Sequence, residues 1–139
     1  MRFRLLRVAV PTAVVALTLA TTSGVAHAAT SHQVVYHADG NWAGEVWFNA
    51  GTHNMAKGRN SFTVKDTFCG DGWKVGVHYE IPALNIYRTF LLNGDCSGES
   101  SFSVVSYDVA PSAIHWWGLK ASTTENLTTY ESQVNDYVD

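Results

Sequence analysis

From Trp73 to Ile81 every second side chain is large and apolar. Trp73, Val75, Val77, Tyr79 and Ile81 fall on one face, with Lys74, Gly76, His78 and Glu80 on the other. Successive Cβ atoms of a strand leave opposite faces, so this spacing hides its apolar set only as a strand laid against a core. Pro82, with no N–H to give to a ladder, ends the segment. A weaker period-two signal recurs at residues 33–37, 45–49, 61–68, 86–92, 102–107 and 114–122, and a fainter one within 127–134. Turn residues separate these runs: Asp39-Gly40-Asn41, Cys69-Gly70-Asp71-Gly72, Asn93-Gly94 and Pro111. Residues 50–60 are polar, include Gly51 and Gly58, and read as a long loop; residues 135–139 read as a frayed tail. No segment after residue 28 carries a capped apolar stripe of helical period. Seven to eight short strands without helices predict an all-β chain, an antiparallel β-sandwich.

The first 28 residues have a different pattern. Arg2, Arg4 and Arg7 precede an apolar run at 8–20, and Ala26-His27-Ala28 places small residues before a cleavage point. That order is the one a secretory signal peptide uses. The apolar run is shorter than the roughly 20 residues needed to span a bilayer. Residues 1–28 are therefore expected to be a leader and 29–139 a single domain, secreted and with no membrane attachment once cut. Removing the three leader arginines from the 9 basic residues leaves 6 against 12 acids, a formal balance of −6. Such a chain repels phosphate backbones, which argues against nucleic acid as a partner. Two cysteines, Cys69 and Cys96, are an even count in an exported domain and predict one disulfide. Closing that loop would stabilise the fold by about 3 kcal/mol.

Three segments, Asp39-Gly40-Asn41-Trp42-Ala43-Gly44-Glu45-Val46-Trp47-Phe48, Phe62-Thr63-Val64-Lys65-Asp66-Thr67 and Asp71-Gly72-Trp73-Lys74-Val75-Gly76-Val77, share one pattern. It is a D-G-x-x-x-G turn, a strand, a V-x-D-T segment, a D-G turn and an alternating strand. In this the chain resembles a group of small secreted proteins of actinobacteria, of the Streptomyces type. The resemblance covers about the first half of residues 29–139. It implies a compact β-sandwich and an extracellular address, and it brings no activity with it. The second half, with Ile114-His115-Trp116-Trp117, matches the group less well.

Few residues invite chemistry. His78 and Glu80 leave the same strand face about 7 Å apart. With His115 as a third ligand from another strand they would form a metal site, or a base and its orienter. Against this stands the ordinary use of such pairs as solvated surface. The turn Asn93-Gly94-Asp95-Cys96-Ser97-Gly98-Glu99 has the oxygen spacing of a calcium loop, but the twelfth position, which needs a bidentate Glu, is Val104. Ser100, Ser101 and Ser103 lie in no nucleophile motif. Asn126-Leu127-Thr128 fits the glycosylation pattern, which is usually silent in a bacterial product.

Tryptophan is the more suggestive feature. Trp42, Trp47, Trp116 and Trp117 offer rigid apolar area of the kind that stacks on sugars and anchors interfaces. Neighbours on a strand leave opposite faces, so Trp116 and Trp117 cannot both face one core. Trp47 shares a face with Glu45, opposite Val46 and Phe48. An exposed patch of Trp47 with one of the paired tryptophans is therefore expected, the alternative being a second small core under loop 50–60. The reading that follows is an extracellular, non-catalytic binding protein whose partner is a protein or a polysaccharide. No residue pattern asks for a cofactor. A small metal-dependent hydrolase using His78, Glu80 and His115 is the alternative, and a cell-surface structural component is a third.

Overall fold

The computed structural model describes residues 30–68, 70–93, 98–105 and 109–139. The expected leader at 1–28 and both cysteines, Cys69 and Cys96, lie outside the described residues. Nine strands are present among those described. They are β1 (Thr30–Tyr36), β2 (Trp42–Asn49), β3 (Ser61–Asp66), β4 (Trp73–Ile81), β5 (Ile86–Leu91), β6 (Glu99–Ser103), β7 (Ser112–Ser122), β8 (Thr128–Tyr130) and β9 (Val134–Val138). A 3-10 turn, Pro82–Leu84, joins β4 to β5.

The strands form two antiparallel sheets. One runs β1-β2-β3-β6; the other runs β5-β4-β7-β8, with β9 also paired to β7. The sheets face each other across one core, so the arrangement is sandwich-like. Register explains which side chains enter that core. Gln33, Val46 and Val64 are successive cross-strand partners, as are Ser31, Phe48, Phe62 and Phe102. On the other sheet Phe90, Val77 and Gly118 align, as do Arg88, Tyr79 and Trp116. Phe62 is the meeting point. Its ring lies 5.0 Å from Phe48, 5.3 Å from Tyr79, 5.5 Å from Trp116 and 5.9 Å from Phe102. Each fully buried side chain of this size contributes roughly 1.5–3 kcal/mol, and each ring pair about 0.5–1.5 kcal/mol more.

One side of the layered core is closed by polar bonds. Ser31 Oγ donates to Asp136 Oδ2 at 2.5 Å, Gln33 Nε2 donates to the Ser132 carbonyl at 2.8 Å, and the Tyr36 N–H donates to Glu131 Oε1 at 2.8 Å. Gly118 lets the two sheets approach there. Its N–H donates to Gln33 Oε1 at 2.6 Å, and a Cβ on it would stand 2.9 Å from Val35 Cγ2. The opposite side is closed by rings, Phe90 lying 4.4 Å from Phe102.

Two expectations are corrected. Residues 135–139 are not a frayed tail: β9 pairs with β7 from Ser112↔Val138 to Trp116↔Val134, with Val138 fully buried. The inward row of β9 is Val134, Asp136 and Val138, so an acid interrupts the apolar alternation, and Ser31 satisfies that acid. The sixth strand is Glu99–Ser103 rather than 102–107. Its register on β3, Ser61↔Ser103 to Lys65↔Glu99, is set by one inward ring, Phe102, while serines fill most other places. The remaining boundaries shift by a few residues at most.

Candidate functional site

On the outward face of the five-stranded sheet, His78 and Glu80 emerge side by side, and register sets Glu80 directly opposite His115. The three do not become a metal site. His78 Nε2 donates to Glu80 Oε1 at 3.2 Å and its Nδ1 lies 2.9 Å from Thr89 Oγ1, so both ring nitrogens are taken by neighbours. His115 turns to β9, with Nδ1 at 2.7 Å from Asn135 Oδ1. Among the described residues no group of three or more His, Cys, Asp or Glu is placed to hold a metal ion. Trp117 lies on this same face, its ring 5.4 Å from His78.

The tryptophans separate. Trp116 is fully buried in the core, with its indole nitrogen unpartnered among the described residues. Trp117 points outward from the five-stranded sheet, and Trp47 points outward from the four-stranded sheet. They are on opposite sides of the molecule and do not form one patch. Trp42, 48 % exposed, pairs with Tyr36, 45 % exposed, at the start of β2.

Trp47 instead belongs to a groove. The segment 50–60 folds back over the outward face of β2 and β3, burying Asn49, Ser61 and Thr63, which would otherwise meet water. Between segment and sheet lies a groove of about 280 Å³ lined by Thr30, Trp47, Asn49, Asn54, Lys57, Thr63 and Glu99. Trp47 stacks on His32 with ring centres 5.0 Å apart and planes at 15°. His32 and Trp47 are cross-strand partners, so the rings stand on edge and the second indole face turns toward Thr63 on β3. Lys57 Nζ pairs with Glu99 Oε1 across one end. Two of the polar groups are loosely held: Thr30 Oγ1 donates to Asn49 Oδ1 at 3.2 Å, and Asn49 Nδ2 reaches Ser61 only at 3.4 Å, whereas Thr63 Oγ1 lies 2.9 Å from Ser101 Oγ. Long bonds such as these are readily exchanged for bonds to a ligand.

A larger cleft of about 400 Å³ opens at the far end of the sheets, lined by the 37–41 turn, Phe68, Asp71, Trp73 and Lys120. The turn is built on Gly40 at φ +83, whose N–H donates to the His37 carbonyl at 2.9 Å. His37 Nε2 lies 3.0 Å from Asp71 Oδ2, but at an angle that makes no hydrogen bond. Asp71 Oδ1 accepts from the Trp73 N–H at 2.8 Å. The Lys120 ammonium lies over the Trp73 ring, 5.0 Å from its centre. Beneath this cleft Asp66 is buried, with Oδ1 accepting from the Phe68 N–H at 3.0 Å and Oδ2 unpartnered among the described residues. Burial raises the Asp66 carboxyl above its ordinary value, against the opposing pull of the Phe68 N–H that it accepts and of the nearby Val75 N–H. Asp39, at the rim, is held below its ordinary value, first by the Asn41 N–H and then by the Asn41 side chain.

Sequence reasoning passed over this cleft. One signal was present: in the run 114–122, Lys120 occupies a position of the same parity as Ile114 and Trp116. A lysine on the core-facing row is the informative exception to apolar alternation. Comparison with known proteins adds no relative: no family model, no curated protein and no solved structure matches the chain.

Proposed function

We propose that this is an extracellular, non-catalytic binding protein and that the groove under segment 50–60 holds a polyhydroxylated ligand, a segment of polysaccharide. The observation that carries the reading is the Trp47 indole, braced on one face by His32 and turned on the other toward a groove of amides and hydroxyls. An aromatic face takes the C–H side of a sugar ring, while Asn49, Asn54, Thr30 and Thr63 offer donors and acceptors to its hydroxyls. Support for an exported chain comes from the leader-like pattern of residues 1–28, and the resemblance to small secreted actinobacterial proteins agrees with it. A Cys69–Cys96 disulfide belongs to the same proposal and would complete a sandwich closed by one bridge. It is favoured by the Asp66 N–H donating to the Gly98 carbonyl at 3.2 Å, which brings the flanks of the two cysteines together.

The test is retention of the secreted protein on insoluble cellulose, chitin, xylan and cell-wall material. We expect retention on at least one of these. Trp47→Ala should weaken it about tenfold, near 1.4 kcal/mol. Trp117→Ala, on the opposite face, should leave it intact. Equal retention of the Trp47→Ala protein, or no retention of the unaltered protein on any polymer, would sink the reading.

A further inference from the structure

Lys120 is the most exposed contradiction in the molecule between residue type and place. It sits on the inward row of β7, directly opposite Val75, where a core residue belongs. Only 4 % of its surface is exposed. Among the described residues no carboxylate lies within 4.0 Å of its ammonium, and no hydrogen-bond acceptor reaches it. Its one identified contact is the Trp73 ring at 5.0 Å. The aliphatic stem is buried, while the ammonium lies over the indole at the cleft wall, where a ligand can reach it. The acids of the same cleft are engaged elsewhere. Asp71 is committed to the Trp73 N–H and faces His37, and Asp39 accepts from Asn41 at both oxygens.

We infer that the end cleft is a second binding site, which takes a small monocarboxylate with an aromatic or apolar body, the carboxylate meeting Lys120 and the body lying between Trp73 and Phe68. The volume, about 400 Å³, is in the range of small-molecule sites. One cation without an acid partner matches one negative charge. Asp39 and Asp71 on the same wall repel a dianion about twice as strongly as a monoanion, so a singly charged carboxylate is favoured over phosphate. The apolar walls, Phe68 and Trp73, select a ligand with a body over a bare ion such as acetate. The site shares no residue with the Trp47 groove, so neither assignment depends on the other.

The experiment is a titration of 15N-labelled protein with phenylacetate, phenylacetamide and inorganic phosphate, followed by NMR. Phenylacetate should give saturable shifts at the Trp73 indole N–H and at the Trp73 and Lys120 amides, with a Kd of about 1–10 mM, as befits a ligand of so few atoms. Phenylacetamide and phosphate should bind at least about tenfold more weakly, a difference the charge and the two acids impose. Lys120→Met should lose phenylacetate by a similar factor, while Trp47→Ala should bind it as the unaltered protein does. Equal binding of acid and amide would overturn the proposal. So would full binding by Lys120→Met, or no saturable shift at about 20 mM phenylacetate, well above the expected Kd. Should Lys120→Met fail to fold, the acid and amide pair on the unaltered protein decides alone.

Discussion

The two ends of the molecule bury polar residues to the same depth and treat them in opposite ways. At the end formed by segment 50–60, Asn60 is fully buried and fully used. Its Oδ1 accepts from the Gly51 N–H at 2.6 Å, its Nδ2 donates to the Asp139 carbonyl at 2.7 Å, and its own carbonyl accepts from the Val104 N–H at 2.8 Å. One residue thus ties the β2–β3 connection to the chain after β6, through its carbonyl, and to the end of β9, through its side chain. At the cleft end, Asp66 Oδ2, Thr67 Oγ1 and His37 Nε2 are buried without a hydrogen-bond partner among the described residues, and Lys120 has no acid beside it. An unsatisfied buried group costs about 1–3 kcal/mol. Between these two ends burial alone therefore does not separate architecture from site; the satisfied Asn60 and the unpartnered atoms around Asp66 do, although the Trp116 indole nitrogen shows that the core also holds an unpartnered donor among the described residues. The closed end stabilises the fold, and the open end gives up stability for groups that a ligand can complete.

The strongest way to break that contrast is at Asn60. Asn60→Ala removes the partners of Gly51 and Asp139 together and places alanine at φ +42, in the left-handed region. We expect a loss of about 3 kcal/mol in urea unfolding. Asn60→Gly, which keeps the backbone conformation, should lose about 1 kcal/mol less. A loss below about 1 kcal/mol for the alanine variant would mean that the closed end is not a network in the energetic sense.

A smaller effect of the opposite sign is expected at the other end. Lys120→Met keeps the side-chain length on an inward row and removes a charge whose stem is buried and whose ammonium opens on the cleft. It should leave stability unchanged or raise it by about 1 kcal/mol, read as midpoint in urea. A destabilisation of more than about 1 kcal/mol would make the ammonium a structural group and erase the difference between the ends.

The same contrast explains what could be read from the sequence. Trp73–Ile81 was legible to the residue, because its apolar row is unbroken and bounded by Gly72 and Pro82. β9 and the cleft were not, for one shared reason. Asp136 and Lys120 are charged residues on inward rows, and a parity argument treats a charge as evidence for solvent. Parity also placed Trp47 outward and required that only one of Trp116 and Trp117 face the core; the structure buries Trp116 and turns Trp117 out. It could not say which sheet each strand joins, so two outward tryptophans read as neighbours lie on opposite sides. With His78, Glu80 and His115 the shared face was legible and the register sets Glu80 against His115, but His115 is drawn off by Asn135 on the strand taken for a tail.

The smallest effect depends on pH. Burial raises the Asp66 carboxyl above its ordinary 3.8, so from about that pH upward the folded protein keeps a proton that the unfolded chain has released. Stability then falls as pH rises through this window, and the deficit persists above the folded value. Asp66→Asn retains an acceptor for the Phe68 N–H and removes the ionisation. It should be more stable than the unaltered protein at neutral pH, with the difference closing as pH falls toward 3.8. Urea unfolding at several pH values measures the gap directly. A difference that stays constant across that range, or an Asp66→Asn protein less stable at neutral pH, would show the carboxylate to be held by the fold. Asp66 would then belong with Asn60, among groups the architecture satisfies, and only Lys120 would remain to distinguish the open end.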